Sequence, residues 1–351
     1  MIERLHDRLR AGRWEAVCSA LIALAFALAI VGVVVSAAGV NPFTAYGALI
    51  KGAFGSAYYL KLTVRYAIPM LLIALSFSIC ERCGYFNIGQ EAQMTAAGIS
   101  AVLVQYFLPG LPEWLSLVLM LLAGLLAAIL LSVGPALLKY YFHVQEAIIL
   151  VMLCYIMELL ASYLYMYTGM AFPNSATMAR SIAIEASIPT GVMYGCVIVL
   201  FLGYALFMKR SIWGYRIRLV GKNPAFTNAS GISSVKTLVL SSAAGGALAG
   251  LAGLFEVLAV YGFMYYNFAN GMGFLGISAA LLGRQTPLGM LIGALLFGAL
   301  NSGSVTLAAT TGVSGAIVQV IQGFITLFAT VSAIGIAKRL FSKRHARRIV
   351  K

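Results

Sequence analysis

Four polar side chains stand close together at the start of an otherwise apolar stretch of this sequence. The run follows Phe86 and comprises Asn87, Gln90, Glu91 and Gln93, with Gly84 and Gly89 beside them. A carboxylate near the centre of a bilayer costs about 2.5–3.5 kcal/mol on insertion scales, so it usually faces a bundle interior or a hydrated pathway. The run can therefore contact a solute, or it can be architectural, with Glu91 capping a helix end or satisfying neighbouring backbone. The residue types leave both roles open.

A second informative stretch covers residues 209–236, with six basic residues and no acid. Asn223 precedes Pro224, and proline is favoured at the first position of a helix. Gly231 supplies a stop, so the stretch predicts a helix of about two turns outside the membrane, with Gly221 before it and Ala225 inside it. Such a helix suits insertion into a groove on a cytoplasmic partner. A positively charged loop lying on anionic lipid would have a similar composition.

Glycines interrupt a third stretch, from Gly271 to Gly289. The pattern predicts a short helix, a tight turn from Gly283 to Pro287, and another short helix. Half-length segments of this kind can line a cavity. Glycines that only allow close helix packing would give the same pattern.

No constellation in the sequence suits an enzyme. The only aspartate is Asp7, and no phosphate-binding loop is present. Cys80 and Cys83 have the spacing of half a zinc site, but no second pair accompanies them, so we interpret them as small apolar fillers. We expect no catalytic residue, metal or bound cofactor in this chain. If ATP drives the protein, another subunit binds the ATP.

The composition requires a membrane around these features. Of the 351 residues, 62% are hydrophobic and 10% are charged, whereas soluble domains carry about 25% charged residues. A bilayer-spanning helix needs roughly 20 apolar residues, and we count ten apolar segments, of which the third is broken by polar residues and the eighth and ninth are short. They are 17–40, 62–80, 87–107, 114–138, 147–167, 191–208, 237–259, 271–283, 287–304 and 314–336.

The basic residues orient these segments. With both ends of the chain in the cytoplasm, 20 of the 24 lysines and arginines fall on the cytoplasmic side, as the positive-inside rule requires. The tails 1–16 and 337–351 are then cytoplasmic, and 41–61 and 168–190 are external stretches that we expect to hold short interfacial helices. The net charge of +14 indicates membrane topology, with lipid contact, and not nucleic-acid binding, because no continuous basic face is present.

Three motifs in order carry a family resemblance. Residues 86–94 are similar to an F-N-I-G-x-E-G-Q pattern, residues 221–232 to a G-x-N-P segment that ends in G-I, and residues 273–289 to a G-F element with a later L-L-G-x-x-x-P-x-G. The chain thereby resembles the permease subunits of ABC importers for ribose, branched-chain amino acids and nucleosides, nearest to the type for guanosine and other purine nucleosides.

The resemblance implies an all-α, type II-like importer fold of about ten transmembrane helices in two inverted halves, with residues 1–351 as one permease domain. It implies ABC ATPase subunits that bind ATP and Mg²⁺, a second permease chain, and a substrate-binding lipoprotein, in the bacterial plasma (inner) membrane. By the resemblance, the ATPase-coupling helix contains Gly221, Asn223, Pro224, Ala225 and Gly231. By the same resemblance, the polar pathway motif contains Phe86, Asn87, Gln90, Glu91 and Gln93.

Several functions remain open at this point. Nucleosides are the first expectation for the cargo, followed by riboflavin-like molecules and simple sugars. An ion-coupled secondary transporter is a rival, in which Glu91 or Glu256 would be the intramembrane carboxylate. A membrane-embedded enzyme ranks lowest, because no catalytic cluster is found.

Overall fold

The computed structural model describes residues 39–172, 180–265, 267–269 and 271–312, together with 32, 33, 36, 319, 320 and 322–324. Regular structure in this part of the chain is helical. The helices are α1 (Pro42–Phe54), α2 (Ala57–Arg82), α3 (Gln90–Phe107), α4 (Glu113–Phe142), α5 (Glu146–Tyr167), α6 (Thr190–Arg210), α7 (Ile212–Lys222), α8 (Pro224–Ala229), α9 (Ser234–Phe255, continued by a π-helical turn, Glu256–Tyr261), α10 (Met272–Leu282) and α11 (Pro287–Thr311).

Six of these helices are long and apolar enough to cross a membrane: α2, α4, α5, α6, α9 with its π turn, and α11. The chain is therefore a polytopic, helical membrane protein, as its composition predicts. The polar α3 and the short α10 correspond to the third and eighth apolar segments, and α11 continues to Thr311, beyond the predicted end at residue 304. Most of segments 17–40 and 314–336, and all of both tails, lie outside the described residues, so the count of ten and the orientation stay predictions.

The two stretches predicted to be external differ from each other. A helix is present in 41–61 as predicted: Asn41 Oδ1 accepts a hydrogen bond from Phe43 N at 2.9 Å, and α1 then begins at Pro42. The prediction of a helix in 168–190 is wrong for the residues described there. Residues 181–188 are extended, and Ile184 N and Ile188 N donate to the carbonyls of Gly262 and Leu258 at 2.7 and 3.0 Å.

The period of burial explains why 181–188 is not helical. Ile184, Ala186 and Ile188 are buried, while the residues between them are exposed. This alternation has the period of an extended strand and not of a helix. The π turn and the glycine that caps it supply the acceptors, because the widened spacing of the turn leaves the carbonyl of Leu258 available.

The chain divides into two compact units. The first contains residues 1–67, 281–284 and 295–351, and the second contains 68–280 and 285–294. In the described part of the first unit, small residues let α1 approach the later half of α11. Ser302 Oγ donates to Gly52 O at 2.7 Å, and a Cβ on Gly303 would lie 3.0 Å from the Cα of Leu49.

The second unit has a core of α3, α4 and α9. Glycines on α9 allow the close contacts: a Cβ on Gly253 would overlap the carbonyl oxygen of Met94 on α3 and lie 2.8 Å from the Met94 Cα. Serines fasten the same helices, because Ser132 Oγ on α4 donates to Ser242 O at 2.7 Å. Since lipid tails are as apolar as leucine, close packing and interhelical hydrogen bonds hold such a core together.

The contact at Gly253 can be tested by adding one methyl group. We expect Gly253→Ala to destabilise the folded protein by about 1–3 kcal/mol, because the new Cβ meets backbone that cannot rotate away. The measurement is the thermal melting of the detergent-purified protein. Gly203→Ala is the matched control, since a Cβ there meets nothing within 4 Å. Equal melting temperatures for the two variants would contradict the proposed packing.

Candidate functional site

Between α2 and α3 the backbone of residues 84–89 is not helical. Most of its N–H groups nevertheless have partners within the chain. Tyr85 N donates to Cys80 O at 3.0 Å, Phe86 N to Glu146 Oε1 at 3.3 Å, and Gly84 O accepts from Lys139 Nζ at 2.7 Å. Inside a bilayer, irregular backbone is tolerated only where the protein satisfies it in this way.

The side chains of the polar motif complete this set of hydrogen bonds. Asn87 Oδ1 accepts from Gly89 N at 3.1 Å and from Gln93 Nε2 at 3.2 Å, and Gln90 Nε2 donates to Asn87 O at 2.8 Å. Asn87, Gln90 and Gln93 are each 0% exposed. The geometry gives these three an architectural part: their amides hydrogen-bond one another and the backbone.

Glu91 points elsewhere. Its Oε1 accepts a hydrogen bond from Gly273 N at 3.2 Å, in the first turn of α10. A negative charge is favourable there because the first amides of a helix carry partial positive charge. Gly273 is needed for this approach, since a Cβ on it would overlap the Glu91 side chain. The helix-capping interpretation of Glu91 is thus the one that the geometry matches, with α10 as the helix capped.

Glu91 also lines a cavity of about 110 Å³ in the second unit. A second carboxylate on its wall, Glu158, was not among the residues predicted from the sequence, although it is the only acid within the apolar segment 147–167. That isolation is the signal that could have found it. The structure places the other carboxylate considered from the sequence, Glu256, in a different position, buried as the first residue of the π turn.

The cavity lies deep in the membrane-spanning region. Glu158 follows the first residue of the 22-residue helix α5 by twelve positions, so it lies about 18 Å along a helix of about 33 Å. The segment 84–89 runs beside the start of the same helix, where Phe86 N meets Glu146 and Gly89 packs on Leu150. Residues 84–89 therefore run from the end of α2 along the start of α5 and lead to Glu91 in the first turn of α3.

The loop between α6 and α9 forms two helices, α7 and α8, that meet at Asn223. Asn223 Oδ1 accepts a hydrogen bond from Phe226 N at 3.0 Å, Pro224 is the first residue of α8, and Gly231 has the positive φ of +79° that ends it. The predicted start, length and stop of this short helix are therefore confirmed. Phe226 is 58% exposed, whereas the neighbouring Thr227 is fully buried.

Gly221 brings the end of α7 against the turn that follows α2. A Cβ on Gly221 would overlap the carbonyl oxygen of Arg82 and lie 3.1 Å from Gly84 N. Beside this contact is a cavity of about 540 Å³, lined by Pro224, Ala225 and Lys139 among others. The two groups of predicted site residues, 86–93 and 221–231, thus adjoin through Gly221 and Gly84.

Lys139 fastens the same turn from the other side. Its Nζ lies 2.5 Å from Glu146 Oε1 as well as donating to Gly84 O. Lys139 thereby connects the end of α4 with the start of α5 and with the turn before the polar motif. No group of three or more residues able to hold a metal occurs in the described part of the chain.

The predicted turn between α10 and α11 is present, but the residues with a left-handed backbone in it are not glycines. Arg284 and Gln285 have φ values of +50° and +54°. Arg82 Nη2 donates to Gln285 O at 2.7 Å, which holds this second tight turn against the end of α2.

Comparison with known proteins decides the family. Residues 58–330 match the family of permease components of branched-chain amino acid transport systems. The chain belongs to this family. It is the permease subunit of an ABC importer, a multi-pass protein of the bacterial plasma membrane, and not an enzyme; ATP is hydrolysed by a separate ATPase subunit.

Individual relatives cover most of the permease. It is 31% identical to the nucleoside ABC transporter permease protein NupB of Lactococcus lactis subsp. cremoris, over 90% of each chain. It is 30% identical to the guanosine ABC transporter permease protein NupP of Bacillus subtilis, over 89% of this chain and 92% of that protein. It is 28% identical to the glucose ABC transporter permease protein TsgB13 of Haloferax volcanii, over 94% and 91%.

The architectural part of Asn87 can be separated from any contact with cargo. Asn87→Ala removes the acceptor of Gly89 N–H and the partner of Gln93, and each buried polar group left unpaired costs about 1–3 kcal/mol. We expect a lower melting temperature and a smaller folded fraction after purification in detergent. Glu91→Gln is the control, because it keeps a side-chain oxygen for Gly273 N–H and should melt like the unchanged permease. Normal melting of Asn87→Ala would show that its hydrogen bonds are dispensable.

Proposed function

We propose that the permease carries nucleosides and forms half of their pathway, paired with a second permease chain. Ten membrane-spanning helices, cytoplasmic N- and C-termini, and one permease domain over residues 1–351 belong to this proposal. Two ATPase subunits that bind ATP and Mg²⁺ and a substrate-binding lipoprotein complete the importer. The bias of basic residues supports the orientation, because it places the stretch 209–236 in the cytoplasm.

The observation that carries the mechanism is the exposed helix α8. It is fixed at its start by Asn223 and at its end by Gly231, and it presents Phe226 outward. Buried aromatic side chains often dominate the binding energy of an interface. In the proposed complex Phe226 enters a groove on an ATPase subunit, and α7 supplies a basic, amphipathic flank with Arg216 and Lys222.

Closure of the ATPases on nucleotide would then push on α8. The contact of Gly221 with the Arg82–Gly84 turn transmits the movement, because the two backbones are too close to slide independently. Residues 84–91 connect that turn directly to Glu91 and its cavity. The permease would in this way change between outward-open and inward-open states, with the nucleotide state of the ATPases shifting their populations.

The printed functions of the relatives support nucleosides as cargo. Two of the three relatives described above transport nucleosides or guanosine, and their identities are the higher ones. The glucose permease TsgB13 is only slightly less similar, so a simple sugar is the second candidate.

Transport by the assembled importer tests the cargo and the energy source together. We expect proteoliposomes with both permeases, the ATPases and the binding protein to take up guanosine when ATP is inside. A Walker-lysine variant of the ATPase should abolish uptake, whereas a protonophore should not. Uptake of glucose but not guanosine would favour the second candidate. Uptake that survives the ATPase variant and is lost with the protonophore would instead indicate ion coupling.

The docking of α8 is tested by shortening its exposed aromatic side chain. We expect Phe226→Ala to lower substrate-stimulated ATP hydrolysis by about fivefold to tenfold, as loss of an interface anchor worth about 1–1.4 kcal/mol would do. Membrane insertion and the melting temperature should be unchanged, because the Phe226 side chain is mainly exposed to solvent. Phe43→Ala is the control, since Phe43 is also largely exposed but lies on the proposed external side. Equal ATP hydrolysis by the two variants would remove α8 from the coupling interface.

A further inference from the structure

The cavity beside Glu91 contains an acceptor that the fold itself does not use. Glu91 already accepts the Gly273 N–H. Glu158, which lines the same cavity, forms no hydrogen bond or ion pair with any residue that the structure describes. A carboxylate about halfway along a membrane-spanning helix is costly, and residues of this kind usually serve a substrate or ion pathway. Glu158 therefore has two free acceptor oxygens facing a cavity.

Aromatic rings form part of the cavity wall. Tyr155 and Phe274 are half-exposed, and Phe268 is buried. Aromatic rings offer flat, apolar faces on which the ring of a ligand can stack. Asn267 adds an amide to the wall. Flat apolar surfaces with two carboxylates describe a site for an uncharged or cationic aromatic ligand that carries N–H donors.

This chemistry discriminates among the cargoes of an importer. A site lined by carboxylates in a medium of low dielectric offers a phosphate no cationic partner, which disfavours nucleotides. A simple sugar has donors but no aromatic face. Among purines, guanine presents two adjacent donors, N1–H and the 2-amino group, which match the two oxygens of a carboxylate. Adenine presents an acceptor, N1, beside its 6-amino group, so it offers a carboxylate one donor and one repulsive contact.

We propose that Glu158 reads the base of the transported nucleoside, accepting N1–H and the 2-amino group of guanine, with the base stacked between the aromatic side chains of the cavity. This inference rests on the proposed nucleoside function and adds a selectivity step within the membrane. Glu91 is a positioning residue: its link to Gly273 fixes the first turn of α10, from which Phe274 projects. Hypoxanthine keeps N1–H but lacks the 2-amino group, so it makes one of the two hydrogen bonds.

The experiment measures uptake of guanosine, inosine and adenosine by the complete importer in proteoliposomes. The variant is Glu158→Gln, which keeps the shape of the side chain but replaces one acceptor oxygen by a donor. We expect the ratio of guanosine to adenosine uptake to fall by at least about tenfold, as loss of one bidentate base contact would produce. The ratio of inosine to adenosine should fall less. Binding of the three nucleosides to the isolated binding protein, measured separately, must be unchanged.

Two further variants make the result decisive. Glu113→Gln, the same change at the start of α4, is expected to leave all ratios unaltered. Glu158→Asp keeps the charge but withdraws the carboxylate by one methylene, and it too should lower the guanosine ratio; it decides the question if Glu158→Gln does not assemble. Equal change for all three nucleosides would overturn the proposal, because it would indicate a structural, diol-binding or cation-binding role. If the unaltered importer takes up no nucleoside, the proposed function fails as well.

Discussion

Non-helical backbone packed between the helices of a bundle must find its hydrogen bonds within the protein, and this constraint shapes the second unit around residues 84–89. Each unpaired backbone group there would cost several kcal/mol. The chain meets the requirement with side chains that are themselves expensive to bury, chiefly the amides of Asn87, Gln90 and Gln93 and the Lys139–Glu146 pair. Because most of these groups pair with one another, the removal of one leaves others unpaired. The polar motif is therefore a condition for starting α3 inside the helix bundle.

That break between α2 and α3 has a mechanical consequence. In a continuous helix the backbone N–H and C=O groups pair with each other, so neighbouring segments could not hydrogen-bond to them. Here the turn after α2 is gripped by Gly221 on one side and by Lys139 on the other, and it continues in a few residues to Glu91. The route from the surface helix α8 to the cavity is thus mostly covalent backbone, which is stiffer than a chain of side-chain contacts.

Much of this arrangement could be predicted from local sequence, and the reason is that the signals are local. Asn223, Pro224 and Gly231 define α8 through one capping bond, one fixed φ and one positive φ, all within nine residues. The extended segment at 181–188 could not be found in the same way, because Ile184 and Ile188 donate to carbonyls in and directly after the π turn, about 70–80 residues later. The hydrogen bond from Gly273 to Glu91 spans 182 residues, and the sequence indicates only that Glu91 needs some partner. Glu158 was visible as a lone acid in an apolar segment, but its cavity was not.

Two sets of polar side chains lie in this part of the second unit, the amides of the polar motif and the carboxylates Glu91 and Glu158. The chemistry of the two groups explains this division. Amides can donate and accept, so Asn87 and Gln93 hydrogen-bond each other directly and Gln90 donates to the backbone of Asn87, while Gln90 Oε1 stays buried without a partner among the described residues. A carboxylate accepts only, and two carboxylates on one cavity cannot satisfy each other while both are charged. Glu91 finds a donor in Gly273 N–H at the positive end of α10, which leaves Glu158 dependent on a donor that the described residues do not supply. The mutual pairing of Asn87 and Gln93 and the lack of a donor for Glu158 among the described residues are thus consequences of side-chain chemistry, and they separate the architectural hydrogen bonds of this unit from the carboxylate to which we assign the cargo.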